Sequence, residues 1–194
     1  MDYRERIIKA YREQAASRGV SKVTMDDLVA ATGISKRTIY RYFRSKEEII
    51  NAVLDDLIAG IALKIQAVFG SADKPLDKII NMLGELTRNI RVIEPQFLYD
   101  LQKYYPHLWE KIERFRSQRI QQVFEALLAG GEQNFLRQVH PKIFTTALLA
   151  SIRSVVNPVF IVENQLILEE AIQSLFSIFL YGIVEAEHQQ ELKS

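Results

Sequence analysis

Residues 24–48 read TMDDLVAATGISKRTIYRYFRSKEE, and the fold turns on how this stretch divides. Thr24 has the chemistry of a helix N-cap, with Asp27 at the third helical position able to reach back to the cap amide. The short helix that follows, Met25–Thr32, buries Met25, Leu28 and Val29 on one side. Gly33 breaks it, Ile34 is an apolar plug, and Ser35 caps a further helix over Lys36–Phe43. Two short helices joined by a tight glycine turn are the helix-turn-helix unit.

The second of these helices divides cleanly. Ile39 and Phe43, spaced i,i+4, pack inward, leaving Lys36, Arg37, Thr38, Tyr40 and Arg41 for the exposed side and the N-terminal end. A helix so placed enters the major groove with its N-terminal residues nearest the base edges. Arginine and lysine there bond guanine, and threonine offers a hydroxyl and a methyl. Ser45 caps the next helix and Glu48 is expected to complete a reciprocal capping box. Lys46 falls in that helix's first turn, where a cation is mildly unfavourable for the helix dipole and an anionic partner explains its presence. The candidate DNA-contacting residues are therefore Thr24, Ser35, Lys36, Arg37, Thr38, Tyr40, Arg41 and Lys46.

Charge supports this without deciding it. The net charge of +1 conceals 11 Lys/Arg against 7 Asp/Glu in residues 1–50, and 14 against 17 in the remainder. Between Ser35 and Lys46 stand Lys36, Arg37, Arg41, Arg44 and Lys46 with no acid among them. Such a run is either a footprint for a polyanion or a solvated face, and spacing separates the two. Upstream, residues 3–17 read as a helix with Ile7, Ile8, Tyr11, Ala15 and Ala16 near the helical period, stopped by Gly19.

The residues Ile7 to Ala10, Gly19, Thr24 to Leu28, Thr32 to Ser35, Thr38 to Phe43 and Ser45 to Glu48 together resemble the tetracycline-repressor (TetR) family of bacterial transcriptional regulators. The resemblance spans about residues 4–52. It implies a three-helix DNA-binding domain on a larger helical domain that dimerises and usually binds a small effector. It further implies that Tyr40 and Lys46 hold phosphates, and that Lys36, Arg37 and Thr38 lie near operator bases or adjacent backbone. Some positions depart from the family's pattern. Tyr11, Gln14 and Ala15 stand where small, leucine-like and phenylalanine-like residues are usual, so the large side chain has moved from position 15 to position 11. Thr32 replaces the usual alanine before the turn glycine, and Arg37 occupies a spot often filled by a small residue. Arg37 either contacts a base and narrows preference or binds phosphate and adds affinity alone.

The expected architecture is all-α: a helix-turn-helix domain over residues 1–48 and a helical ligand-binding and dimerisation domain over residues 49–194. The helix beginning at Lys46 continues to about Phe69. Gly70 to Pro75 forms a break, and helices are expected over Leu76–Ile90, Phe97–Tyr105, Pro106–Leu128, Pro141–Val159 and Leu166–Glu187, with Gly130 and Gly131 as a stop. The last two are apolar around much of their surface, through Ile143, Phe144, Leu148, Leu149, Ile152, Val155 and Val156, then Ile172, Leu175, Phe176, Phe179, Leu180 and Ile183. They form either a thick internal core or half of a two-fold four-helix seam, and a homodimer is the expectation because two heads suit a pseudo-palindromic site.

Aromatic residues cluster between Phe97 and Phe160, Phe135 among them. Core packing and an apolar pocket are both open readings, and the pocket is what the resemblance implies; its candidate lining is Phe97, Leu101, Tyr104, Trp109, Phe124, Phe144 and Asn157.

No catalytic or metal-binding residue and no cofactor is expected. The histidines, His107, His140 and His188, lack partners at metal spacing; His107 and His140 flank prolines and are expected to cap helix ends. There is no phosphate-cradling glycine loop and no nucleophile elbow, and Asp55-Asp56 and Glu169-Glu170 are adjacent pairs that do not converge on one helix face. The first residues show no secretory-signal pattern, no apolar run reaches ~18 residues, and cysteine is absent. A cytoplasmic chain with no membrane partner is the expectation. Its expected partners are double-stranded DNA, a small-molecule effector and a second copy of itself, in a ligand-responsive repressor. An activator of the same architecture and a non-specific nucleoid or scaffold protein are the alternatives.

Overall fold

The computed structural model describes residues 2–71, 77, 78, 81, 95–129, 137 and 139–184. Nine helices are bounded among them: α1 Tyr3–Arg18, α2 Met25–Thr32, α3 Lys36–Tyr42, α4 Lys46–Phe69, α5 Pro95–Tyr104, α6 Pro106–Ala129, α7 Pro141–Val155, α8 Pro158–Glu163 and α9 Leu168–Ile183. The described residues form no strand, and the fold is all-α as the periodicity predicts. Most of the expected helix over Leu76–Ile90, of which residues 77, 78 and 81 are described and helical, lies outside the described residues, as do the Gly130-Gly131 stop, Phe135 and the tail from 185 onward.

One expectation is corrected. Pro141–Val159 is two helices, because Pro158 has no amide to donate and starts α8 at its first turn. Asn157 is its N-cap, its side-chain oxygen accepting from Val159 N at 3.0 Å. The apolar pattern runs straight through this junction and hides it.

The chain forms two compact units, Met1–Leu63 with Ile93–Glu110, and Lys64–Val92 with Lys111–Ser194. In the first, α1 packs on α2 and α5, and α2 on α3. Its core includes Ile7, Tyr11, Ala15, Leu28, Ile39, Phe43, Ile49, Val53, Phe97 and Leu101, all buried. Tyr11 and Ala15 are both fully buried, so the phenol ring occupies the volume that a small residue at 15 leaves open. The hydroxyl that comes with it donates to Val20 O at 2.9 Å.

In the second unit α7 packs on α9 and α8, with Phe144 edge-on to Phe179 at 5.6 Å between centroids. Leu148, Ile152, Ile172, Leu175, Phe176 and Ile183 are buried there, whereas Ile143 on α7 and Ile178 on α9 are 70% and 69% exposed. The Arg116 guanidinium, largely buried, pairs with Glu113 and donates to Val156 O at 3.1 Å, satisfying a carbonyl at the end of α7.

Candidate nucleic-acid interface

The turn between α2 and α3 is built by local hydrogen bonds. Thr24 Oγ1 accepts from Asp27 N at 3.1 Å, while Asp27 Oδ2 accepts from Thr24 N at 2.8 Å and from the Thr24 hydroxyl at 2.7 Å. Arg18 Nη1 holds the other Asp27 oxygen at 3.0 Å. The Thr24 hydroxyl and amide, followed by Arg18, lower the Asp27 carboxyl to about 2. Gly33 takes a left-handed φ of 66°, which explains glycine there. The Thr32 hydroxyl donates to Leu28 O at 2.6 Å and accepts from Ile34 N at 3.2 Å. Threonine in place of alanine therefore satisfies a turn amide that is otherwise without a partner.

Ser35 Oγ accepts from Thr38 N at 3.2 Å and lies 2.9 Å from the Thr38 hydroxyl. Ile39 and Phe43 are buried beneath α3, and Lys36, Arg37, Tyr40 and Arg41 are exposed, with Thr38 half-buried between them. Lys36 has a partner that the sequence did not reveal, Asp26, whose two oxygens lie 2.9 and 3.1 Å from its Nζ. Among the described residues neither Arg37 nor Arg41 is ion-paired. The Arg41 guanidinium sits 5.6 Å over the Tyr42 ring, which meets Tyr3 edge-on at 6.2 Å.

The start of α4 departs from expectation. Ser45 Oγ accepts from Glu48 N at 3.2 Å, but the Glu48 carboxylate accepts from Arg44 N at 2.7 Å. The reciprocal bond thus reaches one residue further upstream than a capping box requires. Lys46 is half-buried, and its Nζ donates to Ser21 O at 2.9 Å in the loop after α1. Burial pushes its ammonium below the ordinary lysine range, opposed by the Asp100 and Asp27 carboxylates.

Asp100, on α5, is the buried acid of this arrangement that sequence reading missed. It is 4% exposed, and its Oδ2 accepts from Ser21 N at 3.1 Å and from the Ser21 hydroxyl at 2.7 Å, with Gln96 Nε2 on Oδ1 at 2.8 Å. Burial works to raise its pKa, but these donors outweigh it and keep the carboxyl below the usual range. The available signal was an acid within an apolar helix face, Phe97 and Leu101 beside it.

His107 does not cap; its Nε2 lies 2.8 Å from Glu47 Oε1 in the first turn of α4, because the start of α6 brings the ring to that carboxylate. His140 occupies the N-cap position of α7, but its side chain makes no capping bond. His188 lies outside the described residues. Among the described residues no three acids or histidines are grouped to hold a metal ion, and no helix is long and apolar enough to cross a membrane.

The candidate pocket residues fall in both units. Phe97 and Leu101 are buried in the first, where Trp109 is half-buried and Tyr104 is 52% exposed beneath the Lys103 ammonium, 5.4 Å from its ring. Phe144 and Asn157 belong to the second, and the Asn157 oxygen is engaged as the α8 cap. The Phe124 side chain lies outside the described residues.

A capped helix-turn-helix whose second helix exposes cations and hydroxyls along one edge defines a DNA-binding regulator of the helix-turn-helix class. Residues 7–53 match the family described as "Bacterial regulatory proteins, tetR family". Over these residues the chain is similar to the DNA-binding domain of the TetR family of transcriptional regulators. It is 28% identical over 165 residues to the HTH-type transcriptional regulator YvaF of Bacillus subtilis (strain 168), covering 84% of this chain and 87% of that protein. It is 27% identical over 79 residues to the HTH-type transcriptional repressor KstR2 of Mycolicibacterium smegmatis, covering 41% and 38% respectively. In fold it is similar to a transcriptional regulator from Saccharomonospora viridis solved in complex with choline, with a TM-score of 0.73 at 18% identity over 94% of this chain and 97% of that one.

Proposed function

We propose that this chain is a ligand-responsive transcriptional repressor that occupies a pseudo-palindromic operator as a homodimer. Residues 1–48 read the duplex, while residues 49–194 dimerise and bind a small-molecule effector. The observation that carries the reading is the exposed edge of α3. Arg37 and Arg41 are exposed there without an ion-pair partner among the described residues, beside Lys36, Thr38 and Tyr40, on a helix anchored by buried Ile39 and Phe43. Base recognition falls to Arg37 and Thr38, and phosphate contact to Tyr40 and Lys46.

Dimerisation is supported by Ile143 and Ile178, whose exposure on the paired helices α7 and α9 leaves apolar surface for a second copy. Two heads about 34–36 Å apart then meet successive major grooves on one face of the duplex. Effector response is supported by the chain path, since residues 93–110 of the first unit are preceded and followed in sequence by residues of the second. The choline bound to the Saccharomonospora viridis protein and the repressor name of KstR2 favour a small effector and a negative sign of control.

Fluorescence anisotropy with duplex from the chain's own promoter region tests the reading. A specific site is held roughly 10³-fold or more tightly than random duplex, and an effector lowers that ratio. Equal affinity for both duplexes favours a non-specific nucleoid role. Reporter output that falls on deletion of the gene identifies an activator.

A further inference from the structure

Ser21 is held from two sides. Its amide and hydroxyl both donate to one buried oxygen, Asp100 Oδ2, and its carbonyl accepts from the Lys46 ammonium at 2.9 Å. The remaining Asp100 oxygen is bound within α5 by Gln96 at 2.8 Å, so the carboxylate is oriented before it meets the loop. The loop is shaped for this approach. Gly19 has φ +88°, and a Cβ added there would lie 2.7 Å from Asp100 Oδ2. Next to Ser21, the Val20 carbonyl is fixed by the Tyr11 hydroxyl.

We propose that Asp100 is a positioning residue for DNA binding, acting through Ser21 to orient the Lys46 ammonium toward a backbone phosphate. This rests on the reading of Lys46 as a phosphate contact. A lysine on a flexible four-carbon stem loses rotamer freedom when a phosphate captures it. The Ser21 carbonyl engages one of its three donors and restricts the stem in advance, leaving the others for an anion. Asp100 keeps that carbonyl in place, from a helix 79 residues away in sequence. Its charge also lies near enough to favour the protonated Lys46, offsetting part of the desolvation there.

The test is a double-variant cycle on the full-length chain, with binding to promoter duplex followed across salt concentration. Lys46→Ala lowers the slope of log affinity against log salt by about 0.9, one phosphate's worth. Asp100→Asn, which replaces an accepting oxygen by a donor facing Ser21, weakens binding in the wild-type background and reduces the same slope. In the Lys46→Ala background it has no further effect on either quantity. Losses that multiply, or an Asp100→Asn chain with wild-type affinity and slope, overturn the proposal. If Asp100→Asn does not fold, Ser21→Ala, which removes only the hydroxyl bond, is judged by the same cycle. A wild-type chain with no salt-dependent hold on any duplex overturns the DNA-binding reading itself.

Discussion

The Tyr11 hydroxyl and the Val20 carbonyl meet at 2.9 Å in the interior of the reading head, both residues fully buried. Burial pushes the phenol well above its ordinary range, so it is a donor at neutral pH. Tyr11→Phe keeps the ring and removes the donor, stranding a buried carbonyl. The expected cost is about 1–3 kcal/mol of stability, read from the midpoint of urea unfolding. An unchanged midpoint would show that the carbonyl finds another partner.

Gly19→Ala is expected to be more disruptive. Its φ of +88° with ψ of 150° lies in a region almost reserved for glycine, and the added Cβ meets Asp100 Oδ2. Backbone strain alone is worth about 1–3 kcal/mol, and the clash adds to it. Thermal unfolding should show a lowered midpoint. Gly33→Ala, at φ +66° with open space around a Cβ, should lose less.

Acid should weaken the cap of α2. The Asp27 carboxyl titrates at about 2 in the folded chain, against an ordinary carboxylate value near 3.9, because Thr24 and Arg18 stabilise its charge. Its contribution is therefore complete above pH ~4 and is lost as pH falls toward ~2. Thermal midpoints of wild type and Asp27→Asn should differ at neutral pH and converge across that window. A constant difference down to the lowest pH would contradict the assignment.

Lys36 is tied to Asp26 at the surface, where an ion pair adds little to stability but occupies a cation beside the groove. Asp26→Asn should leave the unfolding midpoint nearly unchanged. It should tighten duplex binding several-fold at low salt, because a local negative charge is gone and Lys36 is free. Weaker binding would mean that the pair orients Lys36 for its contact.

Thr38→Ala should alter discrimination rather than overall affinity. The hydroxyl lost lies 2.9 Å from that of Ser35, while the cap itself is the Thr38 amide donating to Ser35 Oγ, so helix capping by Ser35 persists. Competition among single-base variants of the operator should change by about 1–3 kcal/mol at one position. Uniform weakening across all variants would assign Thr38 to the backbone instead.

The reading head was legible because its structure is written in short spans. The pairs Thr24–Asp27, Ser35–Thr38 and Ser45–Glu48 lie three residues apart, and Ile39 and Phe43 lie four apart, the distances over which a helix brings side chains together. Where the local pattern was ambiguous, it misled. Apolar residues on both sides of Asn157-Pro158 suggested one helix, and proline beside His107 suggested a cap, where the ring instead meets Glu47.

By itself the order of residues determined an all-α chain, the two capped helices of the head and the cationic edge of the second. Those features depend on hydrogen bonds and side-chain spacing within four or five positions. Only the tertiary structure decided that Asp26 engages Lys36, that Ser21 holds Lys46, and that Asp100 holds Ser21. Pairings across 10, 25 and 79 residues depend on where packed helices come to rest, and the burial that drives packing is indifferent to which polar groups it brings together.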